Sequence, residues 1–216
     1  MPKDPNNIKL SILILSIPSR LEIFLPLLNK LSTQIGESDE VEILSLLDNK
    51  SLHIFEKRNE LMNIARGGHL TFLDDDDDIS EDYIKKIIKA ISSNPDTDVI
   101  SFNQQCYLDG LEAKVFAKMG NPHEDVRINP FTGKYKDTLR PPYHWCVWKS
   151  SLARSESFKG VYSSGDSGQS MEDIDWLKRL YPKVSSSIYL ENDALHIYRF
   201  CSGSTESILT KSNKAQ

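Results

Sequence analysis

The chain has 216 residues, with 39% hydrophobic and 26% charged side chains and a net charge of −5. That size suits one domain, or one domain with an appendage, able to bury roughly 70% of the surface of its unfolded chain. The acidic balance excludes a broad basic footprint for non-specific nucleic-acid binding and leaves room only for a local basic groove. Cys106, Cys146 and Cys201 are odd in number and far apart, which indicates neither a zinc site nor a disulfide framework. Free thiols fit a reducing compartment, so a cytoplasmic location is expected. Residues 1–7 are polar and the apolar run 8–17 is too short to span a bilayer, so neither a targeting segment nor a transmembrane span is predicted.

In chain order, the nearly continuous aliphatic run at 10–17 predicts a buried strand. Ser19 is placed as the cap of a helix with Leu21, Phe24, Leu25, Leu28 and Leu31 at helical spacing, ended by Gly36. Residues 41–47 form a second strand that runs into Asp48-Asn49-Lys50-Ser51. Residues 53–66 read as a helix with Phe55, Leu61, Ile64 and Ala65 as its apolar positions, stopped by Gly67-Gly68. Residues 69–73 are a third strand. Ser80 is expected to cap the next helix, whose stripe is Tyr83, Ile84, Ile87, Ile88 and Ile91, and 98–102 is a fourth strand. Strand and helix in strict alternation predict a parallel sheet with helices on both faces, which binds ligands at the carboxyl ends of its strands.

The second half reads differently. Asp109-Gly110 predicts a hairpin between 104–108 and 111–118, and the glycines and prolines of 119–142 predict loop. Residues 143–149 look like a strand, 163–170 are Gly/Ser-rich, 171–180 are a short helix, and 185–190 and 194–200 are two final strands.

The five consecutive aspartates, Asp74 to Asp78, directly follow the third strand. A solvated turn capping the next helix explains Asp78, Glu81 and Asp82, because carboxylates suit the positive end of a helix dipole. It does not explain four more carboxylates crowded at a strand end, which repel unless a cation offsets them. Mg²⁺ and Mn²⁺ take such oxygen ligands and bind phosphate oxygens as well. Alternate residues of an extended segment share a side, so Asp74 and Asp76 make the natural metal pair, leaving Asp77 to bond the loop or a sugar.

Phe72-Leu73-Asp74-Asp75-Asp76-Asp77, preceded by Lys57-Arg58-Asn59 and Gly67-Gly68, resembles the Phe-Leu-Asp-x-Asp-Asp signature of inverting GT-A glycosyltransferases of the family 2 type. Met171-Glu172-Asp173-Ile174-Asp175-Trp176, with a following Arg179, resembles that family's Glu-Asp-x-Asp-Trp segment. Arg140-Pro141-Pro142-Tyr143-His144-Trp145 is similar to a segment of compact, often viral, members, for which the location would be the host cytoplasm. The resemblance covers about residues 8–204. It implies an α/β, Rossmann-like fold for nucleotide-diphospho-sugar transfer: a mostly parallel sheet flanked by helices, with a smaller mixed β region on the acceptor side. Residues 1–103 would be the nucleotide-sugar-binding half, 104–206 the acceptor and catalytic half of the same domain, and 207–216 a polar tail.

For the site, the resemblance implies that Asp173, with Glu172 beside it, is the catalytic base of a metal-dependent, inverting transfer to an acceptor hydroxyl. Asp48, Arg58, Asn59, Asp74 and Asp75 would hold the donor, although the Asp-Asp-Gly-Ser-x-Asp form usual at Asp48 is reduced here. Asp74, Asp76 and His196 would hold Mn²⁺ or Mg²⁺, and Ser204 matches a weak C-terminal Ser. His144, Trp145, Asp175 and Trp176 are assigned to the acceptor; for Trp145 and Trp148, core packing is an equal alternative. Burial near other carboxylates is expected to raise the pKa of Asp173. The donor is a nucleoside-diphosphate sugar, with a UDP-sugar as first choice. The acceptor (a glycan, a lipid-linked sugar, a protein, or a hydroxymethylated nucleobase in DNA) and the oligomeric state stay open. Two rivals remain: a nucleotidyltransferase, disfavoured because the loop Ile17-Pro18-Ser19-Arg20 has no Gly, and a nucleotide-sugar or cation-binding module without turnover.

Overall fold

The computed structural model describes residues 7–128, 132–162 and 170–200. Strand β1 (Leu10–Ser16) is buried at all seven positions, because it lies between β2 (Val41–Leu47) and β3 (His69–Asp74) in a parallel arrangement with helices on its faces. That is why its sequence is aliphatic without alternation. A 3-10 turn (Pro18–Arg20) leads into α1 (Leu21–Ile35), which buries Phe24, Leu27, Leu31 and Ile35. Ser19 therefore sits inside the turn and does not cap the helix, while Gly36 ends it with a positive φ of 53°.

Helix α2 (Ile54–Ile64) begins at His53, which shares a reciprocal capping box with Glu56. Its buried face is Lys57, Arg58, Leu61 and Met62, and Ile64 is exposed. The apolar pattern fails here because two cations of the face point inward to carboxylates. After α2 the chain passes Gly67, where an added Cβ would lie 2.6 Å from the Ser11 nitrogen and 2.8 Å from the His69 carbonyl oxygen. Backbone against backbone leaves no room for any other residue.

A two-residue strand β4 (Asp78–Ile79) follows the aspartates, then α3 (Tyr83–Ser93), which buries Tyr83, Ile84, Ile87, Ala90 and Ile91. Ser80 donates its hydroxyl to Asp82, the residue at the N-cap, rather than to the helix. Strand β5 (Val99–Leu108) is continuous where two segments were expected, and it turns through Asp109-Gly110 into β6 (Leu111–Ala117). β7 (Thr138–Arg140) adds to β6 in parallel.

The second half is mixed, as expected, and one strand has decisive placement. Strand β8 (Val147–Lys149) wedges between β3 and β5, antiparallel to both. Only these three residues are strand; 143–146 form a turn closed by the Cys146 amide on the Tyr143 carbonyl. That turn lies beside the end of β3: the Phe72 amide donates to the His144 carbonyl at 3.2 Å, and the Thr71 hydroxyl to the Trp145 carbonyl at 3.0 Å. The short helix α4 (Ser150–Ala153) follows, then α5 (Glu172–Leu180). The two expected final strands are one, β9 (Ser187–Phe200), parallel to β5. Residues 191–193 have no partner in that ladder, and this bulge is what interrupts the apolar pattern. Beyond it, β9 pairs with β4 through Ile197 and His196. Among the described residues no helix is long and apolar enough to cross a membrane. Ser204, Cys201, the tail from 207 and most of the Gly/Ser-rich stretch lie outside the described residues.

Candidate active site

A cavity of ≈340 Å³ opens at the carboxyl ends of β1 and β3, walled by Arg20, Lys57 and Asp74 to Asp76. Asp48 stands at the end of β2. Its carboxylate is ion-paired with Lys57 and accepts from the Ser51 hydroxyl at 3.0 Å and the Leu52 amide at 2.9 Å. The Lys57 ammonium beside it holds its pKa well below the usual carboxylate range. Much of its bonding capacity is thus spent on its own turn.

The five aspartates have five different surroundings. Asp74 caps the loop: its amide donates to Asp77 Oδ2 at 2.8 Å, and its carboxylate meets Arg58 Nη2 at 3.2 Å and His144 Nε2 at 3.8 Å. Burial would raise its pKa, but Arg58 and then His144 keep it low. Asp75 is buried and accepts from the Ser16 hydroxyl at 2.7 Å and Arg20 Nε at 2.8 Å. Asp76 pairs with Arg20 Nη2 at 2.8 Å. Burial, with the charges of Asp74 and Asp77, raises the Asp76 pKa against the pull of Arg20. Asp77 is buried against His196, and Asp78 pairs with Lys30 at 3.1 Å and Arg199 at 3.3 Å.

Arg58 joins this cluster to α5. It is almost fully buried, with its guanidinium 5.1 Å from the Phe72 ring centre and 5.6 Å from that of Phe158. It bonds Asp74 on one side and Glu172 Oε1, at 3.3 Å, on the other. Glu172 also accepts from the Ser170 hydroxyl. Next to it, Asp173 Oδ2 lies 3.2 Å from His144 Nδ1. One imidazole therefore stands between Asp173 and Asp74. The expected rise in the Asp173 pKa is not found: burial pushes it up, but the neighbouring His144, then Arg58, bring it to about 2.

Several expected residues are placed otherwise. His196 is buried with its ring stacked on Trp145 (centres 4.9 Å apart), its Nδ1 2.9 Å from Gln104 Nε2 and its Nε2 2.9 Å from Asp77 Oδ2. The Nε2 contact is off the line of a hydrogen bond, since that atom has no satisfied partner. His196 thus faces Asp77, not the Asp74 and Asp76 pair it was to join. Trp145 is buried by that stack. Trp176 is fully buried among Phe158, Phe72 and Trp148, and its indole donates to the Glu156 carbonyl at 2.9 Å. It has no ring face left for an acceptor, which corrects that expectation. Asp175 is ion-paired with Arg179 at 2.7 Å. Asn59 clamps the backbone of Phe158 from both sides, donating to its carbonyl at 2.9 Å and accepting from its amide at 2.8 Å.

Among the described residues no three His, Cys, Asp or Glu side chains converge as a cation cage. Mg²⁺ and Mn²⁺ bound to phosphates need only one or two protein carboxylates, however. Asp74 and Asp76, 43% and 41% exposed, both face the cavity. Two cavity-facing carboxylates of hard oxygen donors fit such an ion, and the three-residue set with His196, which faces Asp77, does not. Sequence reasoning missed Arg20 and the double contact of His144. Arg20 could have been found from its position, since it directly follows the first strand at the sheet edge where ligands bind. Nothing in the sequence marks the second contact of His144, because it depends on β8 entering beside β3.

The parallel β2-β1-β3 half, with carboxylates at its strand ends and a mixed half joined through β8, defines a GT-A fold. The model of glycosyl transferase family 2 matches residues 30–161, more than half of the chain, and the protein belongs to that family. Among solved structures it is similar to S. aureus TarS 1–349, with a TM-score of 0.63 at 16% identity, covering 89% of this chain and 60% of that one. The same fragment in complex with UDP gives 0.61 at 15% identity over 89% and 60% of the two chains. In complex with UDP-GlcNAc it gives 0.58 at 15% over 91% and 60%. This chain thus spans about 60% of the length of these structures. No curated protein matches the sequence.

Proposed function

We propose that the protein transfers a sugar from a nucleoside-diphosphate sugar to an acceptor hydroxyl, with inversion at the anomeric carbon. The observation that carries this reading is the chain of contacts Asp74–His144–Asp173, which sets a strand-end carboxylate and a helix-start carboxylate on one imidazole at 3.8 and 3.2 Å. A donor held on the Asp74 side and an acceptor held on the Asp173 side would be positioned for a single displacement. Family membership supports the reaction class. The TarS complexes favour a UDP-sugar as the first donor to try.

Asp74 and Asp76 would hold Mn²⁺ or Mg²⁺, which supplies Lewis-acid stabilisation of the departing diphosphate. Lys57 and Arg20 line the same cavity and bring positive charge to the phosphates. Arg58 keeps Asp74 ionised and Glu172 in place. Asp173 accepts the proton of the acceptor hydroxyl. With a pKa of about 2 it is a weak base, ionised at every physiological pH. The acceptor is a hydroxyl of a glycan, a lipid-linked sugar, a protein or a hydroxymethylated nucleobase, and the assay offers each.

The test is thermal stability with UDP, GDP, CDP and their sugar conjugates, each with and without Mn²⁺. A ligand at about a hundred times its dissociation constant stabilises by roughly 2.7 kcal/mol, which a melting curve resolves. A shift for one nucleotide that needs the metal supports the donor reading. No shift with any nucleotide overturns it, and a shift without sugar turnover on any acceptor favours a binding module.

A further inference from the structure

Arg20 is the cation the aspartates already have. Its Nε and Nη2 reach Asp75 Oδ1 at 2.8 and 2.7 Å, and Nη2 reaches Asp76 Oδ2 at 2.8 Å. Asp75 is held in turn by the Ser16 hydroxyl at the end of β1, so the bridge is anchored to the sheet edge. Arg20 also lines the cavity that Asp74, Asp75 and Asp76 line. A divalent cation on Asp76 would share that carboxylate with the guanidinium, and two cations on one carboxylate repel. A diphosphate offers the guanidinium a better partner, because its fork of donors matches phosphate oxygens two at a time.

We propose that Arg20 is the resting counter-ion of the aspartate cluster, and that a nucleoside diphosphate draws it off Asp76 so that diphosphate and divalent cation enter together. This rests on the donor reading above and adds an order of events to it. The cation alone binds poorly because its seat is taken. The diphosphate alone binds the guanidinium but leaves Asp76 without its cation. Each ligand thus improves the site for the other through a single side chain, which is a coupling free energy and so acts equally in both directions.

The experiment measures Mn²⁺ binding from the electron paramagnetic resonance signal of free Mn²⁺. It uses the natural sequence, Arg20→Gln and Arg20→Lys, each with and without UDP, and circular dichroism to confirm folding. Arg20→Gln should bind Mn²⁺ without UDP about tenfold more tightly than the natural protein, within the usual range of such couplings. It should also bind UDP without metal more weakly. Lysine can satisfy only one carboxylate at a time, so Arg20→Lys should show an intermediate gain. Mn²⁺ affinity unchanged in both variants overturns the proposal even when UDP and Mn²⁺ bind the natural protein together. Failure of the natural protein to bind any nucleotide is the separate result that overturns the donor reading.

Discussion

His144 lies between the two carboxylates at the centre of the site, with one ring nitrogen toward each, at 3.8 Å from Asp74 and 3.2 Å from Asp173. Asp173→Asn should reduce turnover by about 10²–10⁴, the usual contribution of a general base, while nucleotide binding in the melting assay stays intact; unchanged turnover would remove Asp173 from the reaction. His144→Gln is a different test, because His144 acts on Asp173 rather than on substrate. Without His144 beside it, burial weighs more and the Asp173 pKa rises from about 2. The base must be ionised, so the acid limb of the kcat/KM profile should move to higher pH. A limb that stays in place would show that His144 does not hold the carboxylate down. The identities of Asp173, Asp74 and Arg58 were legible from their motifs. The direction of the Asp173 shift was not, because its partner lies 29 residues away in sequence and meets it only across the sheet.

At the scale of elements, function is visible as departure from pattern. Helix α2 turns Lys57 and Arg58 to the core and leaves Ile64 outside, and strand β9 carries a bulge at 191–193. The first half was legible because each strand is a run of aliphatic residues and each helix repeats with the helical period. The antiparallel insertion of β8 was not legible, since a three-residue strand carries no mark of its neighbours. Gly67→Ala should be among the costly substitutions, at about 2 kcal/mol or more, because the new Cβ meets backbone that cannot step aside. Urea unfolding checks it; a loss below a few tenths would mean that β1 and the Gly67 segment separate easily. Asn59→Ala should cost about 1–3 kcal/mol, since two buried backbone groups of Phe158 lose their partners. Phe158 packs on Trp176 and lies near Arg58, so nucleotide binding should weaken as well, and a variant with parent stability would show the clamp to be dispensable.

For the whole molecule, the balance of carboxylates sets the response to acid. Glu42, Asp74, Asp78 and Asp173 are all held below their ordinary values, by hydrogen bonds and cations that outweigh burial. A depressed carboxyl adds stability that is complete above its unfolded pKa and is lost as pH falls through its folded pKa. For Asp173 that window runs from about 4, the unfolded value, down to about 2. Asp76 is raised and works in the opposite sense, its strain easing as it protonates. Depressed groups outnumber it, so the melting temperature should fall between about pH 4 and pH 2, and Asp173→Asn should flatten the fall. A melting temperature that holds to pH 2 would show the ion pairs to be balanced by like-charge repulsion.

The wedge of β8 between β3 and β5 also dictates when the molecule can be finished. Strands β1, β2 and β3 can associate as soon as residue 74 is made, but β5 has no place beside β3 until residues 147–149 arrive. A ribosome adding roughly 5–20 residues per second leaves that edge of the nascent sheet open for several seconds. Open edges recruit other chains. Slower translation over residues 75–149 should therefore lower the yield of soluble protein, and a chaperone that shields β3 meanwhile should restore it.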